Sequence, residues 1–358
     1  MKISACMIVK NEEKNLSRAI ESLTFADELI LVDTGSTDGT KELAGQFTNH
    51  LYEFNMRGDF SAARNFAFSK CSMDYIYTAD ADEVIDSSNQ AKISDLKNSL
   101  SESTDIVQML YSNQLQFSSI YNFNSEYRPK LFKRLRTFRW VDPVHEIIDM
   151  DVHILNSDII ILHMPNELHA GRDFSIFERI ARPGALISPR LHRLYAQELF
   201  LSGTEHDFLN AYPYFEWTLH EKDISNDGIR QSQCVVVRCC ALRKDSEGMF
   251  KIALKNTIGR PSAEVCCELG NYYKNKKDFE EAATWYYTAA FGAECELSAR
   301  CSGNIPLKGL SESYRMLGDV KKSEKYRKMA NEWQFPDVQM PYYHAIKCDG
   351  ANNGICQN

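Results

Sequence analysis

Hydrophobic and polar positions alternate in blocks along the first hundred residues of the chain. Four apolar runs have the length and continuity of buried strands, and they cover residues 3–9, 28–33, 50–54 and 75–78. Three segments between them space their apolar side chains as helices do, and they cover residues 16–23, 40–46 and 60–69. This alternation predicts an α/β domain with a mostly parallel, Rossmann-like sheet flanked by helices.

The pattern changes twice further along. After residue 104 it becomes irregular and richer in strands, with candidates at residues 105–111, 127–132 and 157–162. From Ser175 onward it is almost entirely helical, and Pro183 and Gly184 mark a plausible boundary region. We therefore predict three parts, which are an α/β domain at residues 1–174, an all-α domain at residues 175–336 and a tail at residues 337–358.

The helical half contains two similar units. The first includes Gly270, Tyr273 and Tyr286, and the second repeats the pattern with Tyr314 and Tyr326. The spacing matches the tetratricopeptide pattern, except that about seven residues are inserted against the usual period of about 34. We place this insert near residues 293–306. Plain antiparallel helical hairpins are the alternative reading.

Polar side chains follow three of the predicted strands. Asn11 and Glu12 come after the first strand, Asp33 ends the second, and Asp80 and Asp82 follow the fourth. Because parallel α/β sheets bind ligands beyond the carboxyl ends of their strands, we expect these side chains to share one site. In a second role, Asn11 and Glu12 would cap and begin the first helix.

Asp80 and Asp82 stand two residues apart on extended chain, so both carboxylates can point to the same side. Oxygen ligands of this kind suit Mg²⁺ or Mn²⁺, and such an ion commonly bridges a diphosphate. A solvated acidic loop is the alternative. Glu83 would either cap the next helix or hold water on the metal.

Composition narrows the class of protein. The chain has 44% hydrophobic and 25% charged residues and a net charge of −8, which gives no reason to expect a nucleic-acid partner. The basic run at residues 128–136 reads equally as a solvated face or as an anion or acceptor surface. We find neither a secretory signal nor an apolar window long enough for a membrane span, so we expect a soluble, cytoplasmic protein.

The 11 cysteines are scattered and form no C-x-x-C pair. This argues against a zinc ribbon and favours reduced, mostly buried thiols. Cys348 and Cys356 in the tail could form a disulfide bridge, which we regard as the less favoured outcome.

Four segments resemble the family 2 glycosyltransferases of the GT-A fold in order and separation. They read IVKNEE at residues 8–13, ADELILVDTGSTDGT at residues 26–40, DFSAARN at residues 59–65 and ADADE at residues 79–83. Residues 128–132 and 140–146 are similar to the R-L-F…W-x-G-x-V-H-E segment of a subgroup related to lipopolysaccharide-core glucosyltransferases. That subgroup also includes members with tetratricopeptide helices and members that modify peptides. Asp142 stands where the subgroup has glycine.

The resemblance implies a role for each matching residue. Asp33 would accept the uracil N–H of a UDP-sugar, and Arg64 would meet its phosphates. Asp80 and Asp82 would hold Mn²⁺ or Mg²⁺, with His163 as a third ligand or as a structural histidine. The nucleotide-sugar site as a whole would comprise Val9, Asn11, Glu12, Asp33, Arg64, Asp80 and Ala81.

An inverting transferase needs a carboxylate that takes the acceptor's proton. By position after the D-x-D motif, the resemblance favours Glu146, with Asp142 second. The alternative for Glu146 is a structural ion pair with Arg128 or Arg139.

We therefore expect a metal-dependent, inverting glycosyltransferase that moves a hexose or N-acetylhexosamine from a UDP-sugar. The acceptor would be a peptide or protein, or else a cell-envelope glycan or lipid-linked saccharide. The helical domain would bind the acceptor or form a homodimer. Two other classes stay open, which are a nucleotidyltransferase and a non-catalytic adaptor built on the repeats.

Overall fold

The computed structural model describes residues 1–112, 126–148, 152–164 and 170–335. The described chain forms two compact units, one up to residue 164 and one from residue 170 to 335. Cys348 and Cys356 lie outside the described residues. The boundaries that the sequence indicates at residues 174 and 336 stay predictions. No described helix has both the length and the apolar character needed to cross a membrane.

The first unit is built on a mixed, mostly parallel sheet. Its strands in chain order are β1 Ile3–Val9, β2 Glu28–Asp33, β3 Leu51–Glu53, β4 Tyr75–Ala79, β5 Glu83–Val84, β6 Ile106–Ser112, β7 Glu126–Lys133 and β10 Ile154–His163. They lie side by side in the order β3-β2-β1-β4-β7-β6-β10-β5. Strands β1 to β4 are mutually parallel, whereas β7 runs antiparallel to both β4 and β6. The predicted α/β class is confirmed.

The remaining two strands, β8 Trp140–Val141 and β9 Ile147–Ile148, form a small antiparallel pair of their own. The sequence pattern did not indicate them, because two residues are too few to show a period. It missed β5 for the same reason. β5 pairs antiparallel with the end of β10, and this pairing sets Glu83 opposite His163.

Helices cover both faces of the large sheet. They are α1 Leu16–Glu21, α2 Thr40–Phe47, α3 Phe60–Lys70 and α4 Ser87–Ser99. Strand β1 sends alternate side chains to opposite sides. Ile3 and Met7 enter the core shared with α1, α2 and α4, and Cys6 enters the core shared with α3 and Trp140. This two-sided burial explains why β1 reads as a continuous apolar run.

The structure corrects two predicted helix starts. Helix α1 begins after Asn15, so Asn11 neither caps it nor lies next to it. Helix α4 is capped by Asp86, whose carboxylate accepts the Asn89 amide. Glu83 is therefore not the cap of α4. Both starts were misplaced because residues with good capping side chains are also used in turns and sites.

The second unit is helical throughout its regular structure. Its helices are α5 Ala170–Ile180, α6 Pro189–Ser202, α7 Glu205–Thr218, α8 Asn226–Leu242, α9 Ser246–Thr257, α10 Ala263–Asn275, α11 Phe279–Phe291, α12 Asn304–Met316 and α13 Val320–Glu332. Short 3₁₀ turns occur at Arg134–Arg136 in the first unit and at Ala299–Ser302 here. The two repeat units that the sequence indicates are the hairpins α10–α11 and α12–α13.

Tyr286 on α11 lies where these two hairpins meet. A Cβ atom added to Gly270 would come within 2.7 Å of its ring, and one added to Gly309 within 2.6 Å. The absent side chains therefore let both α10 and α12 approach the same buried ring closely. Close packing at Tyr286 is a direct consequence of these two glycines.

The insert between the hairpins is held by a buried carboxylate. Glu264 on α10 accepts the amides of Leu297 and Ser298 at 2.8 and 2.9 Å. Burial raises the pKa of Glu264, and these backbone donors oppose that effect. The inserted residues are thus part of the packed structure.

Candidate functional site

The loops after β1 and β2 are joined at the carboxyl edge of the sheet. Asn11 has a left-handed backbone with φ of 56°, and its amide nitrogen donates to Ser36 Oγ at 3.0 Å. Its side-chain oxygen accepts the Thr37 amide at 2.8 Å. The Val9 carbonyl accepts the Thr34 amide at 2.9 Å. Asn11 therefore shapes the rim of the site, which accounts for an asparagine where the backbone needs positive φ.

Asp33 is buried at the end of β2. Its Oδ1 accepts the amides of Gly35 and Ser36 at 2.9 and 3.0 Å, in a turn that Gly35 closes with φ of 104°. Lys41 approaches the same oxygen at 3.7 Å. The other oxygen, Oδ2, is buried and has no hydrogen-bond partner within the described part of the chain. A buried, unpaired carboxylate oxygen is costly, so it marks a position where a ligand N–H would bind well.

Glu12 faces the start of α1. Its amide donates to Thr40 Oγ1 at 2.8 Å, and its carboxylate accepts from Asn15 Nδ2 at 2.9 Å. These bonds support a structural use of Glu12. A contact with a ribose stays a prediction.

Arg64 on α3 connects the acidic groups of the site. Its Nη1 donates to Thr78 Oγ1 at 2.9 Å, its Nη2 donates to Asp80 Oδ1 at 3.1 Å, and its Nε donates to Glu146. The guanidinium also lies over the Trp140 ring, 5.2 Å from its centre. Burial by itself lowers the pKa of Arg64, but the charges of Asp80 and Glu146 raise it well above its ordinary value. A planar fork of donors suits this bridging position.

Two cations share Asp80. Oδ1 is bound by Arg64, and Oδ2 lies 3.7 Å from Lys130 Nζ. Burial would raise the pKa of Asp80, but these charges outweigh it and hold the pKa well below the usual range. Asp80 is therefore ionised at any physiological pH. The neighbouring Ala81 side chain is buried in the core, so only the Ala81 backbone could contact a nucleotide-sugar.

Glu83 and Lys130 form a buried ion pair beneath Asp80. Lys130 Nζ lies 2.5 Å from Glu83 Oε1 and donates to the Thr78 carbonyl at 3.3 Å. Glu83 Oε2 accepts the Asp80 amide at 3.1 Å. Burial raises the pKa of Glu83 to about 7, and the Lys130 charge opposes the rise. Glu83 thus holds the backbone of the acidic loop, and it does not cap α4.

The basic run splits between two ends of β7. Lys130 points into the site, and Arg128 lies beside it over the Tyr111 ring at 3.9 Å. Lys133, Arg134 and Arg136 instead bond at the opposite end, to the Glu102 carbonyl, the Met73 carbonyl and Asp105. The run is therefore neither a uniform solvated face nor a single anion surface.

Asp82 and His163 meet at the β5–β10 pairing. Asp82 Oδ2 and His163 Nε2 are 3.2 Å apart, and His163 Nδ1 is buried with no hydrogen-bond partner among the described residues. Two ligands at roughly 2.1 Å from one metal ion lie about 3 Å apart, so this carboxylate and imidazole have suitable spacing and chemistry for neighbouring metal ligands. The Asp80 carboxylate, however, is directed at Arg64 and Lys130.

Across the described residues, no three His, Cys, Asp or Glu side chains are grouped as a ready metal site. The set of Asp80, Asp82 and His163 would require Asp80 to exchange partners. It stays a prediction.

Glu146 lies just before β9, and its side chain is 11% exposed. Its ion-pair partner is Arg64, from α3, whereas the structural alternative had Arg128 or Arg139 in that place. Asp142, in the turn between β8 and β9, has φ of 72°. Aspartate tolerates this left-handed conformation better than most residues, so the turn survives without the glycine of the resembling segment.

The sequence indicated no individual role for four residues that shape the site. They are Thr78, which binds Arg64, Lys130, which binds the acidic loop, and Tyr111 and Trp140, whose rings support cations. Alternation along β7 offered one signal, since Arg128 and Lys130 stand two apart on a strand and share a face. Nothing in the sequence showed which face met Asp80.

Asn65 has a clear structural role. Its side chain donates to the Trp140 carbonyl at 2.9 Å and accepts the Trp140 amide at 2.8 Å. This two-bond contact fixes the β8 backbone next to Arg64.

Comparison with known proteins adds three findings on sequence. Residues 4–167 match the family model of glycosyl transferase family 2. A TPR repeat-containing protein of Synechococcus elongatus is 32% identical over 149 residues, which are 41% of this chain and 35% of that protein. The lipopolysaccharide core biosynthesis glycosyltransferase LpsC of Rhizobium meliloti is 40% identical over 90 residues, which are 24% of this chain and 33% of the relative. The chain spans about a third of the length of these two curated relatives.

Two solved structures align with the chain at low similarity. TarS 1-349 of S. aureus has a TM-score of 0.35 and 11% identity, with 80% of this chain and 91% of that chain covered. Glucosyl-3-phosphoglycerate synthase of Mycobacterium tuberculosis, solved with Mn²⁺, uridine diphosphate and phosphoglyceric acid, has a TM-score of 0.38 and 17% identity. In that case 50% of this chain and 76% of the other are covered.

Proposed function

We propose that the chain transfers a sugar from a nucleotide-sugar donor to an acceptor, because residues 4–167 match the family model of glycosyl transferase family 2. One observation carries the proposal. Arg64 joins Asp80 of the D-x-D segment to Glu146 at the carboxyl edge of the sheet. A single cation thus links the group expected near the leaving phosphate with the group expected to take a proton.

The donor we propose is a UDP-sugar carrying a hexose or N-acetylhexosamine. The unpaired Oδ2 of Asp33 supports uracil, because the N–H of that base would satisfy a buried acceptor. Arg64 would turn its donors to the diphosphate when the donor binds. Val9 and Asn11 would border the base and ribose through their backbone.

Divalent metal dependence is part of the proposal. Asp82 and His163 have the donor atoms and the separation to hold Mn²⁺ or Mg²⁺, and Asp80 would join them by leaving Arg64 and Lys130. The bound ion would neutralise charge on the departing diphosphate. Freed from Asp80, Arg64 would be available to the same phosphates.

Glu146 is the proposed general base of an inverting transfer. Its carboxylate would take the proton of the acceptor group that attacks the sugar. The Arg64 contact supports this role by keeping Glu146 beside the donor site. Asp142 is the second candidate, because it lies in the turn between β8 and β9, on the same segment as Glu146.

The acceptor is proposed to meet the second unit. Stacked helical hairpins commonly form concave surfaces for peptides, and α10 to α13 have the hairpin order of tetratricopeptide repeats. We propose a peptide or protein acceptor, with a cell-envelope glycan or lipid-linked saccharide as the alternative. A homodimer through the same helices is a competing use of that surface.

Thermal shift tests the proposal directly. The full chain is heated with UDP, with Mn²⁺ and with both. A Tm rise that needs both ligands supports the donor site, because a ligand that binds only the folded state stabilises it. Hydrolysis of a panel of UDP-sugars would then identify the sugar. A Tm rise with nucleoside triphosphates and none with UDP would favour a nucleotidyltransferase, and no response to any ligand would favour a non-catalytic adaptor.

A further inference from the structure

We propose that Lys130 is a positioning residue for the acidic loop at residues 80–83, and that metal-linked donor binding depends on it. The inference rests on the proposed function and assigns part of its machinery to a residue outside the D-x-D segment. It starts from the position of Lys130, which is 5% exposed and lies on β7 beneath the loop.

Three oxygen atoms surround the Lys130 ammonium. It donates to Glu83 Oε1 at 2.5 Å and to the Thr78 carbonyl at 3.3 Å, and it lies 3.7 Å from Asp80 Oδ2, which is within ion-pair range but beyond hydrogen-bond range. Lys130 therefore acts on the loop from below and is not placed to bind the donor itself.

Through Glu83 the same cation reaches the other half of the site. Glu83 Oε2 accepts the Asp80 amide, and Glu83 pairs in the β5–β10 ladder with His163. Lys130 thus restrains the Asp80 carboxylate directly, and it restrains the Asp80 backbone through Glu83. Its charge also offsets the mutual repulsion of three carboxylates within four residues.

If Asp80 turned to a bound metal ion, the contacts of Lys130 with Glu83 and the Thr78 carbonyl could remain. The loop backbone would then keep its place while the Asp80 side chain changed partner. Removing the cation would leave Glu83 buried without its counter-charge and would free the loop. Groups that orient metal ligands in this way typically change metal affinity about 10- to 100-fold when they are removed.

The test is calorimetric titration of UDP into full-length protein, with and without Mn²⁺, for wild type and Lys130→Met. We expect Lys130→Met to weaken Mn²⁺-linked UDP binding by at least about tenfold. The weaker binding of UDP without metal should stay within about twofold, because Asp33 and Asn11 are untouched. A purely structural role for Lys130 would not change the metal-linked part alone.

Lys97→Met is the matched control. Lys97 Nζ also binds one carboxylate and one carbonyl in the same unit, Asp27 at 2.7 Å and Phe25 at 2.9 Å, away from the site residues. We expect Lys97→Met to lower stability and to leave Mn²⁺-linked UDP binding unchanged. If Lys130→Met does not fold, the double variant Lys130→Met with Glu83→Gln removes both buried charges. It should recover stability but not Mn²⁺-linked binding.

The outcomes separate the two levels of the proposal. Absence of Mn²⁺-linked UDP binding in wild type would overturn the proposed function. Normal wild-type binding with equally strong Mn²⁺-linked binding in Lys130→Met, or in the folded double variant, would overturn the positioning role alone.

Discussion

Arg64 shows how one side chain can organise several chemical groups. It contacts Thr78, Asp80 and Glu146 with three different nitrogen atoms, and the Trp140 ring supports its face. The family resemblance implied that Arg64 would meet the donor phosphates, but not that it bridges the two acidic groups. A lysine could not replace it, because one ammonium nitrogen cannot serve three separated acceptors in this planar arrangement.

Asp82 is the residue on which metal-linked binding most directly depends under the proposal. Asp82→Ala removes the carboxylate 3.2 Å from His163, and we expect it to abolish the Tm rise that UDP and Mn²⁺ produce together. With ligand at about 100 times its Kd, the rise lost corresponds to about 2.7 kcal/mol of stabilisation. Asp158→Ala, at an exposed carboxylate on the same strand as His163, is the control, and it should keep the Tm rise that UDP and Mn²⁺ produce together. Wild-type turnover by Asp82→Ala would refute the metal role.

At the scale of elements, the packing of the helical hairpins depends on small residues in a few places. Tyr286 of α11 is buried against Gly270 of α10 and Gly309 of α12, so three helices share one ring. The sequence pattern indicated Gly270 and Tyr286 as repeat positions. Their contact with Gly309 required the arrangement of the next hairpin.

Gly270→Ala should destabilise the second unit by about 1–3 kcal/mol, because the new Cβ would lie 2.7 Å from a ring that is itself enclosed. Urea unfolding of the full chain measures this loss. Gly45→Ala is the matched helical control in α2, where an added Cβ meets nothing within 4 Å. It should be neutral or stabilising by up to about 1 kcal/mol, since alanine favours helix. Equal effects of the two variants would contradict the packing argument.

At the scale of the whole molecule, each unit has its own core and its own sensitivity to conditions. In the second unit, His192 is buried and lies 3.1 Å from the Tyr214 hydroxyl and from the Gly228 carbonyl. Burial lowers the pKa of His192 from an ordinary 6.5 to about 4, although the Gly228 hydrogen bond opposes this. The folded unit therefore holds this imidazole neutral where the unfolded chain would protonate it.

This difference predicts a pH dependence of stability. Above pH 6.5 the imidazole is neutral in both states and contributes no change. As the pH falls from 6.5 to 4, only the unfolded state gains the proton, so the second unit loses up to about 3 kcal/mol, and the loss levels off below pH 4. His192→Gln should show a flatter profile in urea unfolding between these pH values. His206→Gln, at an exposed histidine, should keep the wild-type slope, and parallel profiles for all three proteins would contradict the prediction.

Much of the architecture was predictable because local patterns and global fold agree. The long strands β1 and β2 match their apolar runs residue for residue, and the two C-terminal hairpins follow their repeat positions. Helix starts were less predictable, because Asn11 and Glu83 have side chains that suit caps and sites equally. Two-residue strands such as β5 left no periodic signal at all.

The sequence by itself determined the class of fold, the order of its parts and the edge of the sheet where polar groups gather. Periodicity decides these features, since strands and helices expose their apolar residues at fixed intervals. Only the tertiary structure decided that Arg64 joins Asp80 to Glu146 and that Lys130 lies under the acidic loop. Those contacts join residues 16 to 82 positions apart, and no local pattern encodes which distant charge completes a buried pair.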